Sequence, residues 1–257
     1  MPGATAIIGT TIETIRHTLQ LRNATAIGRA MMASKKILDH LATTPGLYFG
    51  NFTTMTPIKS YTLDQIKSTV ISKGYKWFEE GDYNLNLIGI RNSDTGDTVT
   101  NKFDDTFFIA YRISGKWTIH NYACTTDPGA HWQQSPINAG GTASLVPGQY
   151  RSSWRIDLHQ ASYRALKQFK PVMVYRDKNK DDKYNRVPED ITQGIYGINI
   201  HRASPTGSSN LVNKWSAGCQ VLQDVNDFNQ LMHVAHLALG KYGNSFTYTL
   251  LESKNIK

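Results

Sequence analysis

The chain has 257 residues, of which 40% are hydrophobic and 11% aromatic, and it carries a formal net charge of +8. A chain of this length buries a core without metal or disulfide support, and its apolar runs are far too short to cross a bilayer. We therefore expect a globular protein with no membrane span. Two cysteines, Cys124 and Cys219, are too few for a disulfide scaffold, and we expect both to be free thiols.

The beginning of the chain lacks the pattern of a secretory signal. The first basic residue is Arg16, and Gly9-Thr10-Thr11 interrupts the only apolar stretch that precedes it. We expect no Sec-dependent export from this N-terminus.

The positive charge is concentrated between Arg151 and Arg186, where ten Lys and Arg residues accompany four Asp and Glu residues, a net +6. Such a region either binds an anionic partner, such as a wall polymer or a nucleic acid, or is an ordinary solvated surface. No aromatic-basic or helix-turn-helix pattern accompanies it, so we do not expect a nucleic-acid partner.

Residues 1–44 carry apolar residues at near-helical spacing on both sides of Gly28, which predicts two amphipathic helices. Pro45-Gly46 and Pro57 mark residues 45–60 as a connecting stretch. The two helices either pack on the main body or dock the chain onto a partner protein.

Residues 61–104 are expected to form a helix-strand extension packed on the body. Thr62 and Gln65 have the spacing of a capping box, which predicts a helix that runs to about Lys73. Alternating residues from Leu85 to Ile90 then predict a strand.

The rest of the chain, residues 105–257, is predicted to be mostly β. Turn residues separate strands predicted at Phe107–Ile113, Trp117–Thr125, Tyr150–Leu158, Val172–Tyr175, Ile195–Ile200 and Phe246–Leu251. A single helix is predicted at Asp224–Leu239. The sequence thus predicts an α+β fold, with a mostly β body and a few helices.

One segment combines residues that support nucleophilic catalysis. His201 follows a predicted strand, and Ser216-Ala217-Gly218-Cys219 comes after seventeen intervening residues. An imidazole can take the proton of a thiol and so lower its pKa, and small residues before the cysteine let backbone N–H groups approach an oxyanion. The alternative for Cys219 is a buried structural thiol. Cys124 lacks both features, and we assign it to the core.

This segment resembles the L,D-transpeptidase (YkuD-type) catalytic domain family, whose signature is a strand-ending His, a variable loop and Ser/Thr-x-Gly-Cys. The segment Leu145–Tyr150 is similar to a second motif of that family, and the resemblance extends over about Asp105–Leu251. It implies a β-sandwich catalytic domain at residues 105–257. It also implies an enzyme that acts on the stem peptides of bacterial peptidoglycan, as a transferase or a hydrolase.

The resemblance also implies a role for each residue of the motif. Cys219 would be the nucleophile and His201 the general base, with the backbone of Arg202 orienting the imidazole. The amides near Gly218 and Cys219 would form the oxyanion hole, and Ser216 would hydrogen-bond within the turn.

Three positions depart from the usual pattern of the family, namely Arg202, Ala217 and Val221. Together they resemble a divergent branch found largely in phage-encoded proteins. That branch implies a wall-cleaving peptidase that is carried in the virion, or that is made in the host cytoplasm and released at lysis. The alternative is a non-enzymatic virion structural or attachment protein that uses the fold to bind the cell wall. In either case the N-terminal helices could dock onto other virion proteins.

Stem peptides carry carboxylates, so we expect contacts with substrate from Trp215, Tyr150, Arg155 and Arg91.

No cofactor or metal is expected. His120, His131 and His159 lack the spacing of zinc ligands. Asp177–Asp182 begins like a calcium loop but lacks its later Gly and acidic residue, so we favour a solvated turn over a calcium site.

Overall fold

A computed structural model describes residues 58–257, and this part of the chain is mostly β. It has eleven strands and three α-helices within those residues, which confirms the predicted α+β class with a mostly β body. The two helices predicted within residues 1–44, and residues 45–57 of the predicted connecting stretch, lie outside the described residues.

The strands are β1 (Asn86–Arg91), β2 (Asp105–Ile113), β3 (Lys116–Thr125), β4 (Thr142–Leu145), β5 (Gly148–His159), β6 (Tyr163–Gln168), β7 (Val172–Asp177), β8 (Ile191–Gly194), β9 (Ile200–Arg202), β10 (Gln220–Leu222) and β11 (Phe246–Glu252). The helices are α1 (Leu63–Ser72), α2 (Ala130–Gln134) and α3 (Val225–Tyr242). None of the helices in this part of the chain is both long and apolar enough to span a membrane.

Eight strands form a closed sheet in the order β1-β11-β5-β6-β9-β10-β3-β2, and β4, β7 and β8 form a separate sheet. Within the closed sheet β1 pairs with β11 and β9 pairs with β10 in parallel, whereas the other pairs are antiparallel. The main core includes Trp154, Tyr248 and Phe107 from this sheet. Helix α3 adds Phe228 and Leu231 to the same core and contacts β9 and β10.

Helix α1 begins where the capping box predicted. The backbone N–H of Gln65 donates to Thr62 Oγ1, and the N–H of Thr62 donates to Gln65 Oε1. Ile66 and Val70 are fully buried in a second apolar cluster, with Ile88 of β1. Full burial of such side chains contributes about 1.5–3 kcal/mol each, so α1 stabilises the outer face of the sheet.

The strand of the predicted extension at residues 61–104, β1, lies inside the closed sheet between β11 and β2. The strand predicted from the alternation at Leu85–Ile90 forms as β1, and all six residues of β1 are buried. Leu87 faces the main core, while Ile88 and Ile90 face the cluster with α1. Both faces of β1 are therefore covered.

The predicted strand Ile195–Ile200 is largely absent: β8 ends at Gly194, and β9 begins only at Ile200. The side-chain Oε1 of Gln168 accepts hydrogen bonds from the N–H groups of Tyr196 and Ile198. A glutamine side chain thus takes the place of a neighbouring strand. His201 consequently lies in the middle of β9 instead of following a strand.

Candidate active site

His201 lies in β9, and Cys219 immediately precedes β10, the parallel neighbour of β9. Ile200 pairs with Gln220, and His201 pairs with Val221. Residues paired across a sheet share a face, and successive residues alternate between faces. Ile200 therefore faces the main core, whereas His201 faces the opposite side, where Cys219 packs beside Val221.

The turn before Cys219 is held by Ser216, which is fully buried. Its hydroxyl donates to the carbonyl oxygen of Cys219 at 2.8 Å and accepts from the N–H of Gly218 at 3.2 Å. Gly218 has φ +122°, and a Cβ atom there would lie 2.5 Å from the carbonyl oxygen of Ala143. Only glycine fits this close approach, which fixes the backbone that presents the cysteine.

The oxyanion hole expected from the sequence needs a correction at Gly218, whose N–H is already bonded to Ser216. The N–H of Cys219, in contrast, has no acceptor among residues 58–257. The Cys219 amide therefore remains free to stabilise a negative oxygen.

The thiol of Cys219 is partly exposed and is held by backbone groups. Its Sγ lies 3.3 Å from the carbonyl oxygen of Gly197, to which it donates, and 3.4 Å from the N–H of Asn199, from which it accepts. Burial raises the pKa of Cys219 to about 11, and the Asn199 N–H opposes this only in part. The thiol is protonated at neutral pH, contrary to the lowered pKa expected from the sequence.

The imidazole of His201 is buried and its tautomer is fixed. Nδ1 donates to the carbonyl oxygen of Arg202 at 2.7 Å, so Nε2 is left unprotonated. Desolvation, followed by the charge of His159, lowers the pKa of His201 to about 3, although the Arg202 carbonyl acts in the opposite direction. His201 is therefore a neutral group that can accept a proton at Nε2. In the described residues it makes no hydrogen bond to Cys219.

His159, at the end of β5, belongs to the same cluster and was considered from the sequence only as a metal ligand. Its ring stacks on that of His201 with the centroids 4.3 Å apart. Its Nδ1 accepts from the side-chain amide of Asn199 at 3.1 Å. Asn199 thus contacts both His159 and the Cys219 sulfur. No local pattern marks His159, because it is brought to β9 by the pairing of distant strands.

Tyr163 and Arg202 form the other flank of His201. The Tyr163 hydroxyl lies 3.5 Å from both His201 Nδ1 and the Arg202 carbonyl oxygen. The Arg202 guanidinium lies over the Tyr163 ring, 4.2 Å from its centroid. This contact holds the backbone whose carbonyl orients His201.

The four predicted substrate contacts make hydrogen bonds with other parts of the fold. Trp215 is partly exposed in the loop between β9 and β10, where its Nε1 donates to Ser209. Tyr150 is buried, and its hydroxyl donates to the carbonyl oxygen of Val146.

The two predicted arginine contacts have other partners. Arg155 pairs with Asp157 on β5, and Arg91 is buried and paired with Asp127. Within the described part of the chain, neither these two arginines nor Trp215 and Tyr150 make a hydrogen bond or ring contact with Cys219 or His201. Their contacts are with other parts of the fold.

The remaining candidates have structural partners. Cys124 is fully buried in the main core, as predicted. Asp177 accepts from Gln133 and from the backbone of Asn185. Across residues 58–257, no three His, Cys, Asp or Glu side chains are grouped so that they could hold a metal ion.

No family model, curated protein or solved structure matches this chain.

Proposed function

We propose that this protein is a cysteine-dependent acyl-transfer enzyme in which Cys219 is the nucleophile and His201 the general base. The observation that carries the proposal is the fixed tautomer of His201, whose Nδ1 proton is bound by the Arg202 carbonyl. That bond leaves Nε2 as a proton acceptor on the strand next to the Cys219 turn.

In the proposed reaction the Cys219 thiol gives its proton to Nε2 of His201 as its sulfur attacks a peptide carbonyl carbon. The carbonyl oxygen becomes negative and is stabilised by the free N–H of Cys219. The C–N bond then breaks, and His201 returns the proton to the leaving amine. The product is a thioester on Cys219, which water or a second amine resolves.

The resting Cys219 and His201 are both neutral, so the proposed attack requires proton transfer at the same time. The pKa of the thiol is raised to about 11 and that of the imidazole is lowered to about 3, so both groups are neutral between these values. Proton transfer is therefore coupled to substrate binding, because the substrate must bring the thiol out of its bond with the Gly197 carbonyl.

The proposed substrates are the stem peptides of bacterial peptidoglycan, and this part of the proposal rests on the resemblance of residues 105–257 to the L,D-transpeptidase family. The eight-stranded closed sheet and the separate three-stranded sheet give the mostly β body that this proposal requires. With water as the acceptor the enzyme is a peptidase. A wall-cleaving role for a phage, in the virion or at lysis, is proposed on the same ground.

Digestion of purified peptidoglycan tests the proposal. Wild-type protein should release soluble peptide fragments, Cys219→Ser should release none, and a chelator should leave the activity unchanged because the proposed chemistry is that of a thiol and an imidazole. Activity that persists in Cys219→Ser and is lost with chelator would refute the cysteine mechanism. Binding to the wall without any cleavage by wild type would instead favour a wall-binding module.

A further inference from the structure

A groove lies beside the Cys219 turn. It is a cavity of about 310 Å³, lined by Trp132, Ile137, Arg176, Ile195, Tyr196 and Ala217, and we call it the Arg176 groove.

The Arg176 groove leads towards the nucleophile along two of its walls. Ala217 on one wall precedes Gly218 and Cys219. Tyr196 on another wall precedes Gly197, whose carbonyl oxygen accepts the hydrogen bond from the Cys219 thiol. A ligand in the groove therefore lies beside the two backbone segments that lead to the sulfur and to its hydrogen-bond acceptor.

Arg176 is held rigidly at this groove, and it is only 8% exposed. Its Nε donates to Thr192 Oγ1 and its Nη1 to the carbonyl oxygen of Gly141, while its guanidinium lies 4.3 Å from the centroid of the Tyr196 ring. A guanidinium has five N–H donors, so about three remain. Those three have no acceptor among the described residues.

Arg176 also lacks a counter-ion. Arg91 and Arg186, which are likewise largely buried, both pair with Asp127. In residues 58–257 no carboxylate lies within 4.0 Å of the Arg176 guanidinium. The N–H groups of Arg176 that have no acceptor are open to solvent at the groove, and a guanidinium fork matches a carboxylate in two parallel hydrogen bonds. The missing partner is thus best supplied by a carboxylate on a ligand.

The rim of the groove is apolar. Ile137 is 72% exposed and Ile195 is 61% exposed, and Trp132 lies in the same lining. An aliphatic residue beside a carboxylate would cover these side chains. A short peptide with a free carboxylate has both features.

We propose that the Arg176 groove binds the acyl-donor peptide and that Arg176 selects it by a free carboxylate. This inference rests on the proposed function, since it names the substrate feature that the same site recognises. Arg176 is then a specificity-determining residue and takes no part in proton transfer.

The test compares stem tetrapeptides in which each carboxylate in turn is replaced by a carboxamide. Formation of the Cys219 thioester is followed by mass spectrometry of the intact protein, and kcat/KM is measured for each acid and amide. Wild type should lose about tenfold or more for one of the amides. Arg176→Met should show an acid-to-amide ratio near one, and Arg176→Lys should retain part of the preference.

Arg164→Met is the matched control, because it removes the same charge from an exposed residue of β6, and it should keep the ratio of wild type. Circular dichroism of each variant checks the fold. A ratio that is unchanged in Arg176→Met, or a wild type that accepts every amide as well as its acid, would overturn the inference.

Binding of the same peptides to Cys219→Ala, measured by calorimetry, separates this inference from the proposed function. A wild type that is acylated by none of the peptides contradicts the enzymatic proposal. In that case the Kd values for acid and amide peptides still decide whether the groove selects a carboxylate. They are compared between Cys219→Ala and the double variant Cys219→Ala/Arg176→Met. Equal affinities for acid and amide in Cys219→Ala would overturn that selection.

Discussion

The ring of His159 lies nearly parallel to that of His201, with an angle of 23° between the planes and 4.3 Å between the centroids. Asn199 donates to Nδ1 of His159 and, through its backbone, to the sulfur of Cys219. A proton on His159 would thus place a positive charge next to the His201 ring, which is the proposed base. The state of His159 is therefore coupled to the basicity of His201.

Replacing His159 by Phe keeps an aromatic ring on His201 but removes the group that can become charged. Because the His159 charge contributes to the low pKa of His201, the variant should have a higher His201 pKa. The loss of kcat/KM that accompanies protonation of the base should therefore begin at a higher pH. His233→Phe, at an exposed position of α3, should leave the pH dependence of kcat/KM unchanged. If kcat/KM of His159→Phe falls at the same pH as that of wild type, His159 does not affect the pKa of His201.

The two buried histidines should make the protein less stable in acid. In the unfolded chain His201 titrates near its ordinary pKa of 6.5, whereas in the folded protein its pKa is lowered to about 3. The unfolded state takes up the proton first, so the free energy of unfolding should fall as the pH drops from about 6.5 towards 3. The slope for one such proton is about 1.4 kcal/mol per pH unit.

Urea denaturation of wild type and His201→Gln at several pH values isolates this contribution. The variant should show a smaller loss of stability between pH 6.5 and 4, because Gln cannot take up the proton. Parallel curves for the two proteins would contradict the lowered pKa of His201.

Alkylation of Cys219 by iodoacetamide should be slow at neutral pH and should accelerate about tenfold per pH unit up to pH 9, because only the thiolate reacts and its pKa is raised to about 11. Cys124, which is fully buried, is the internal control and should label more slowly throughout. Peptide mapping after timed labelling gives both rates. A Cys219 rate that is already constant above pH 7 would show a low thiol pKa.

Gly218→Ala should destabilise the protein by about 2 kcal/mol or more, since alanine is strained at φ +122° and its Cβ would collide with the carbonyl oxygen of Ala143. Gly240→Ala is the matched change in α3, where the space around the glycine is open. That variant should gain about 0.5–1 kcal/mol from the higher helix propensity of alanine. Urea denaturation measures both, and equal stability of the two variants would contradict the tight packing at Gly218.

The elements that the sequence predicted well are those with local signals. The capping box at Thr62 and Gln65 and the turn between the strands predicted at Phe107–Ile113 and Trp117–Thr125 are defined by neighbouring residues, and both form as predicted. The helix predicted at Asp224–Leu239 also forms, with Asp224 as its N-cap and one further turn at its end.

The features that the sequence did not predict depend on distant residues. The predicted strand at Ile195–Ile200 is replaced by an irregular segment, because Gln168 binds two of its N–H groups from about 30 residues away. His159 and Arg176 are important only because of what surrounds them in the fold. Arg91 has a counter-ion and Arg176 has none, a difference that is invisible in a list of charges.

The parallel pairing of β1 with β11 has a consequence for protein synthesis. Ser93, just after β1, and Ser253, just after β11, share a hydrogen bond across 160 residues of chain. The sheet cannot close until β11 has left the ribosome, so β1 waits with one edge open while β2 to β10 are made. That exposed edge is a site for mispairing with other nascent chains. Closure of the sheet thus requires that β11 has been translated.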